Sequence, residues 1–333
     1  MSHVMFALIC VIWGTSFILM KQAVPLVGPV GVGSVRELLG AATLWVIWLL
    51  MKNRRLPFGK ADLLPLLVLA VVGYMAPFTI QPYVIAQVES EAGHGSAFAG
   101  MMVSLVPMAT IVVSIPMLGI WPRWRQVLGV VGGFGFMVLL FREELVQGVR
   151  PIWLALGLCT PLSYAFANTY VKRRFGHVSP LALACAELSL AGVMLVSVFA
   201  AMHATGVSLP MPAVADDAMP TWTRAAVCLL LLGVVCTGLA GYMFYTLIRK
   251  HGPLYAGMVT YIIPCVAIGI GAATGEEIGA GQLISLFGIF AMVALVQWPA
   301  RRGDVGEPDG DAVRLDAGAV ETASIREGDD GAR

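Results

Sequence analysis

The chain has 333 residues, 58% of them hydrophobic and 12% charged, with a net charge of +1 and a mean hydropathy of +0.83. Soluble domains carry about 25% charged residues, so the composition excludes a soluble globular protein and points to repeated membrane crossing. The near-zero net charge gives no reason to expect a nucleic-acid partner.

In chain order, the opening MSHVMFALICVIWG has no basic n-region and no A-x-A site. It reads as a first spanning helix rather than a removed signal. A bilayer core of about 30 Å needs about 20 apolar residues in a helix. Runs near that length occur at 4–24, 31–51, 63–86, 97–119, 124–141, 152–171, 181–202, 224–248, 254–274 and 281–298. They are continuous rather than alternating, and in lipid only helices or closed barrels satisfy every backbone polar group. The expectation is an all-α polytopic membrane protein with ten transmembrane helices. The fifth and tenth runs are the shortest, and Pro65, Pro77 and Pro82 blur the bounds of the third.

The six cysteines lie in apolar runs without CxxC or CxxH spacing, and the five histidines lie in turns or at run ends. Neither set predicts a disulfide or a metal site. GVVGGFG (129–135) lies within a run and lacks the Lys-Ser/Thr ending of a phosphate loop. No Ser-His-Asp or HExxH arrangement is present, so no cofactor and no enzymatic activity are expected.

Loop charges orient the runs. One set of loops holds Lys52, Arg54, Arg55, Lys60, Arg123, Arg125, Lys172, Arg173, Arg174, Arg249, Lys250, Arg301 and Arg302. The opposite set holds Lys21, Arg142, Arg150 and Arg224 beside Glu89, Glu91, Glu143, Glu144, Asp216, Asp217, Glu276 and Glu277. The positive-inside rule puts the first set, and both termini, in the cytoplasm of an inner (plasma) membrane protein. Residues 301–333 are polar and acidic and are expected to be a disordered cytoplasmic tail.

The halves 1–150 and 151–300 echo each other. A shift of 151 sets Trp13 on Tyr164, Lys21 on Lys172, Pro29 on Pro180 and Arg36 on Glu187. A shift of 157 sets AGMMVSLVP (99–107) on AGMVTYIIP (256–264), and 156 sets Gln126 on Gln282. Five spans per half is an odd number, so the repeats are inverted, the architecture of alternating-access carriers.

WGTSFILMK (13–21), Arg36 in the second run, AG-x7-P in the fourth and ninth, and Pro264 followed by GEE with Glu277 and GQLISLFGIF resemble the drug/metabolite transporter superfamily, EamA type. The resemblance covers residues 5–298 and implies a ten-helix carrier, commonly an exporter of amino acids or other small metabolites. It also implies a central cavity among helices one to four and six to nine. The glutamate that follows the helix-four proline in such proteins is replaced here by Ile120 and Trp121.

Intramembrane charges face a bundle interior or a wet cavity, which singles out Arg36, Glu37 and Glu187. Arg36 is read as a substrate-carboxylate site or a helix-packing cation, about 7 Å inside the outer boundary. Glu187 is read as a proton-coupling carboxyl or a packing residue. Adjacent helix positions point about 100° apart, so Arg36 and Glu37 are not expected to share the cavity centre. Helix six carries a polar stripe of Thr160, Tyr164 and Asn168 with Ser163 beside it, and its counterpart carries Trp13 and Ser16. Tyr74 and Gln81, Tyr242 and Tyr245, and Tyr261 add an aromatic and amide lining that suits small amphipathic solutes. Pro107 and Pro264 break equivalent helices as hinges or static kinks. Gly129-xxx-Gly133 is a packing seam or a dimer face, so the chain is a monomer or a weak homodimer. A membrane-embedded enzyme on lipid or sugar substrates, and a passive solute channel, are the competing readings.

Overall fold

The computed structural model describes residues 2–51, 56–119, 121–122, 124–213, 220–244, 246–247, 250 and 259–297. Among the described residues every regular element is helical. The helices are α1 (Ser2–Leu50), α2 (Leu63–Leu69), α3 (Ala76–Ala92), α4 (Gly95–Val103), α5 (Val106–Leu118), α6 (Trp124–Val146), α7 (Pro151–Arg174), α8 (Pro180–Thr205), α9 (Trp222–Leu230), α10 (Val259–Ala273) and α11 (Ala280–Gln297). Among the described residues five continuous helical stretches are long and apolar enough to cross a membrane, or six when α4 and α5, bent by 41°, count as one span. Exposed Val131, Phe134, Val193 and Phe287 on the outer faces of α6, α8 and α11 suit lipid rather than water. The tail at 301–333 lies outside the described residues.

The first two apolar runs were expected as helices joined by a loop. Instead the two segments meet at a kink of one non-helical residue inside α1, Gly28, with φ 70° and ψ 169°. Only glycine adopts that region without strain, and Pro29, with no N–H to satisfy, starts the second segment directly. Arg36 therefore stands eight residues beyond the break, about 12 Å along the axis rather than about 7 Å.

The third run also departs from expectation, continuing to Ala92 and ending on Gly93 in the left-handed conformation. Pro77 cannot donate to Gly73, four residues back, and the chain meets this by widening into a π-helical segment, Ala70–Met75. A second π segment, Leu231–Leu239, follows α9 without any proline. There the wider turn brings the Leu232 carbonyl, five residues back, within reach of the Thr237 hydroxyl, which donates to it at 2.8 Å.

Small residues let α1 press against the second π segment. A Cβ on Gly233 would fall 2.3 Å from Leu39 Cβ, and one on Gly238 would fall 2.4 Å from Thr43 Cβ. Those neighbours are rigid, branch-point atoms near their own backbone. The sequence pattern Gly233-xxx-Thr237-xxx-Gly241 predicts a seam that includes Gly241, but among the described residues Gly241 has nothing within 4 Å. Gly238→Ala is therefore expected to lower thermal stability in detergent, at the overpacking cost of about 1–3 kcal/mol, while Gly241→Ala leaves it unchanged. Equal melting temperatures for the two variants would remove the seam.

On α6, Gly133 abuts Met108 of α5 and Gly132 abuts Met292 of α11. These contacts are internal to the chain.

Candidate functional site

Two ends and a buried centre emerge from the packing. At the end where the acidic loops meet, Lys21 of α1 bonds Glu89 at 2.8 Å and Glu276 at 2.7 Å. His94 Nε2 meets Glu144 at 2.8 Å, and Gln282 Nε2 donates to the other Glu144 oxygen at 2.7 Å. His94 Nδ1 faces the Ala92 carbonyl at 2.9 Å. Burial opposes the imidazolium, but the hydrogen bond and charge of Glu144 outweigh it and raise the ring's pKa above the usual histidine value. Partial burial likewise works against the Glu91 carboxylate. The Arg150 N–H, the Trp153 indole and the Arg150 guanidinium prevail and hold it below the usual range. At the opposite, basic end the described polar contacts include Arg173 donating to the Met117 carbonyl and an exposed Arg174–Asp62 pair at 3.7 Å.

Between the ends lies Arg36, only 6% exposed. Its Nε donates to Thr237 Oγ1 at 2.9 Å, one NH group reaches the Met20 sulfur at 3.4 Å, and the guanidinium stacks on the Phe78 ring at 4.0 Å. The Thr237 hydroxyl accepts from Arg36 through a lone pair and donates its hydrogen to the Leu232 carbonyl. A guanidinium has five N–H donors, yet among the described residues Arg36 has no carboxylate partner. Glu37 is 0% exposed and neither of its oxygens has a hydrogen-bond partner. Both residues lie within electrostatic range of Tyr164, despite pointing apart on the helix.

The expected site residues divide into groups. Tyr164 packs against the clusters on both sides of Arg36 and hydrogen-bonds Gln81. Tyr74, on the first π segment, hydrogen-bonds Glu187, whose other oxygen Oε1 is buried without a partner. Tyr242 and Phe78 join the same cluster. Trp13 donates to the Cys236 carbonyl at 2.7 Å, beside Thr237, and packs on Phe244 with ring centroids 5.0 Å apart. Ser16 is buried and donates to the Trp13 carbonyl at 2.6 Å. Ser163 is half-buried on α7.

Three expected members lie elsewhere. Asn168, one turn beyond Tyr164, is exposed and lines a cavity of about 210 Å³ at the basic end with Thr110, Ser114, Gln126 and Lys172. Tyr261 packs in a separate cluster near Ile268 and Leu286. Tyr245 lies outside the described residues. Of the two prolines, Pro107 opens α5 directly after the 41° bend, whereas Pro264 sits inside the single described helix α10.

Residue-by-residue reading of the sequence missed Glu276. Attention fell on Glu277 of the GEE stretch, but it is Glu276 that is buried and accepts four hydrogen bonds from Lys21, Ser96 and Ala97. Its signal was the glycine before it: Gly275, with φ 95°, turns the chain back under α10.

The model of the EamA-like transporter family matches residues 1–142 and again 151–298. Protein PagO of Salmonella typhimurium is 23% identical over 296 residues, covering 88% of this chain and 90% of its own. An uncharacterized transporter of Bacillus subtilis, YoaV, is 25% identical over 87% of this chain and 96% of its own. The uncharacterized inner membrane transporter YedA of Escherichia coli is 28% identical over 80% of each. One solved crystal structure matches the fold with a TM-score of 0.62 and 17% identity, over 92% of this chain and 99% of that one.

Proposed function

The chain belongs to the EamA-like transporter family, and from that premise we propose that it is a secondary carrier that exports a small organic metabolite, such as an amino acid, by alternating access. Ten spans in two inverted repeats, 1–150 and 151–300, with both termini cytoplasmic, would frame it in the inner membrane as a monomer or weak homodimer. The basic loops support that orientation. One observation carries the substrate reading: a buried guanidinium that bonds no carboxylate among the described residues. Burying an uncompensated charge costs several kcal/mol, and a substrate carboxylate would supply the missing partner. Thr237 and Phe78 hold the fork and Met20 takes one outer N–H, and the remaining outer N–H groups would make the bidentate contact. Tyr164, Gln81, Tyr242 and Trp13 would surround the rest of an amphipathic solute, with Tyr74 and Glu187 handling the coupling proton.

Counterflow in proteoliposomes tests the reading. Vesicles preloaded with single amino acids or other carboxylate metabolites should accelerate saturable entry of the labelled compound for at least one of them. Flux that rises linearly with concentration for every compound, without acceleration by preloading, would establish a channel instead.

A further inference from the structure

Glu276 joins parts of the chain that are far apart in sequence. Its Oε1 accepts Lys21 Nζ at 2.7 Å and the Ser96 hydroxyl at 2.6 Å, and its Oε2 accepts the Ala97 N–H at 3.0 Å. Its side chain is 1% exposed. Glu89 completes the cluster, bonding Lys21 through one oxygen and the Gly95 N–H at 3.0 Å through the other. The carboxylates thus cap the start of α4, where unpaired N–H groups and the helix dipole favour negative charge. They also tie it to α1, α3 and the turn before α11. Gly271 makes the approach possible, since a Cβ there would fall 2.6 Å from Glu276 Oε2.

The repeat supplies a comparison within the molecule. Gly275 and Gly119 both end their helices with positive φ, 95° and 66°, and the shift of 156 that aligns them also aligns Gln282 with Gln126. The residue after Gly275 is Glu276, while the residue after Gly119 is Ile120. Lys21 corresponds to Lys172, which lines the basic-end cavity and has no ion pair among the described residues. The basic end therefore keeps the turn glycine, from the first repeat, and the lysine, from the second, but not the carboxylate that would join them.

We propose that the Lys21–Glu276–Ser96 cluster is a lock that holds the acidic end shut and must break in each cycle, and that its missing counterpart biases the resting carrier toward opening at the Lys172 end. This rests on the alternating-access reading. Charge-assisted hydrogen bonds are about twice as strong as neutral ones, so one end is clamped by contacts that the other end's sequence cannot reproduce.

Hydrogen–deuterium exchange on the full-length protein in nanodiscs tests the lock without introduced labels. In Glu276→Gln, amides of 93–103 should exchange at least about tenfold faster, as losing charged hydrogen bonds shifts a local opening equilibrium. At the same time peptides covering Thr110–Ser114 and Asn168–Lys172 should exchange more slowly, because opening one end closes the other. Lys21→Met should show the same reciprocal pattern and serves as the second variant if Glu276→Gln fails to fold. Faster exchange at 93–103 with no added protection at the basic end, in whichever variant folds, would reduce the cluster to a local helix cap and overturn the lock. The reciprocal shift in a protein that shows no counterflow would leave the lock standing and remove the transport reading.

Discussion

Arg36→Met is expected to abolish measurable counterflow of the carboxylate substrate at concentrations that saturate the unaltered protein. Truncating one partner of a buried charge pair costs about 2–5 kcal/mol, or at least about thirtyfold in apparent affinity. Folding should survive better than binding. Met can fill the volume against Phe78, and it removes the desolvation cost of a buried cation that bonds no carboxylate among the described residues. Arg36→Lys should weaken affinity less, because an ammonium keeps the charge but loses the planar fork and the stacking on Phe78. Initial rates against substrate concentration, at matched levels of folded protein, separate these outcomes. Unchanged apparent affinity in Arg36→Lys would make Arg36 a packing residue.

Glu187→Gln carries the second large effect. Its carboxyl touches Tyr74 through one oxygen, and the other is buried without a partner, so it has a held side and an unpartnered side. Glutamine fills the same space but cannot release a proton. A coupling role predicts that proton-gradient-driven accumulation collapses while exchange at equal pH on both sides persists, with the pH dependence of net flux lost. A packing role predicts the opposite division: coupling intact and a lower melting temperature. Accumulation that still follows the pH gradient in Glu187→Gln would exclude this residue as the coupling site.

Much of the fold was legible because lipid removes alternatives. Continuous apolar runs near the bilayer length leave little besides helices, and the described parts of those runs are helical apart from the turn at Ser104–Leu105 and single residues at run ends. What stayed hidden was local. The sequence shows Pro25, Gly28 and Pro29 together, yet whether they form a loop or a one-residue break depends on tertiary packing. The second π segment has no proline to announce it, so Thr237, the only oxygen partner described for Arg36, carried no signal beyond its place in a small-residue stripe. Asn168 looked continuous with Tyr164 at helical spacing, but α5 and α6 open a separate cavity around it. Charge spacing in the acidic loops marked them as one group, while the specific pairings of Lys21, His94 and Glu276 required three-dimensional contact between distant turns.

That no carboxylate bonds Arg36 among the described residues is the feature on which the functional account turns, and ligand-induced thermal stabilisation measures its consequence directly. Purified protein in detergent should melt at a higher temperature with a transported amino acid, since a ligand that binds only the folded state stabilises by mass action. The C-terminal amide of the same compound should leave the melting temperature unchanged, and neither form should stabilise Arg36→Met. Equal stabilisation by acid and amide, or undiminished stabilisation of Arg36→Met by the acid, would contradict the assignment of Arg36 to the substrate.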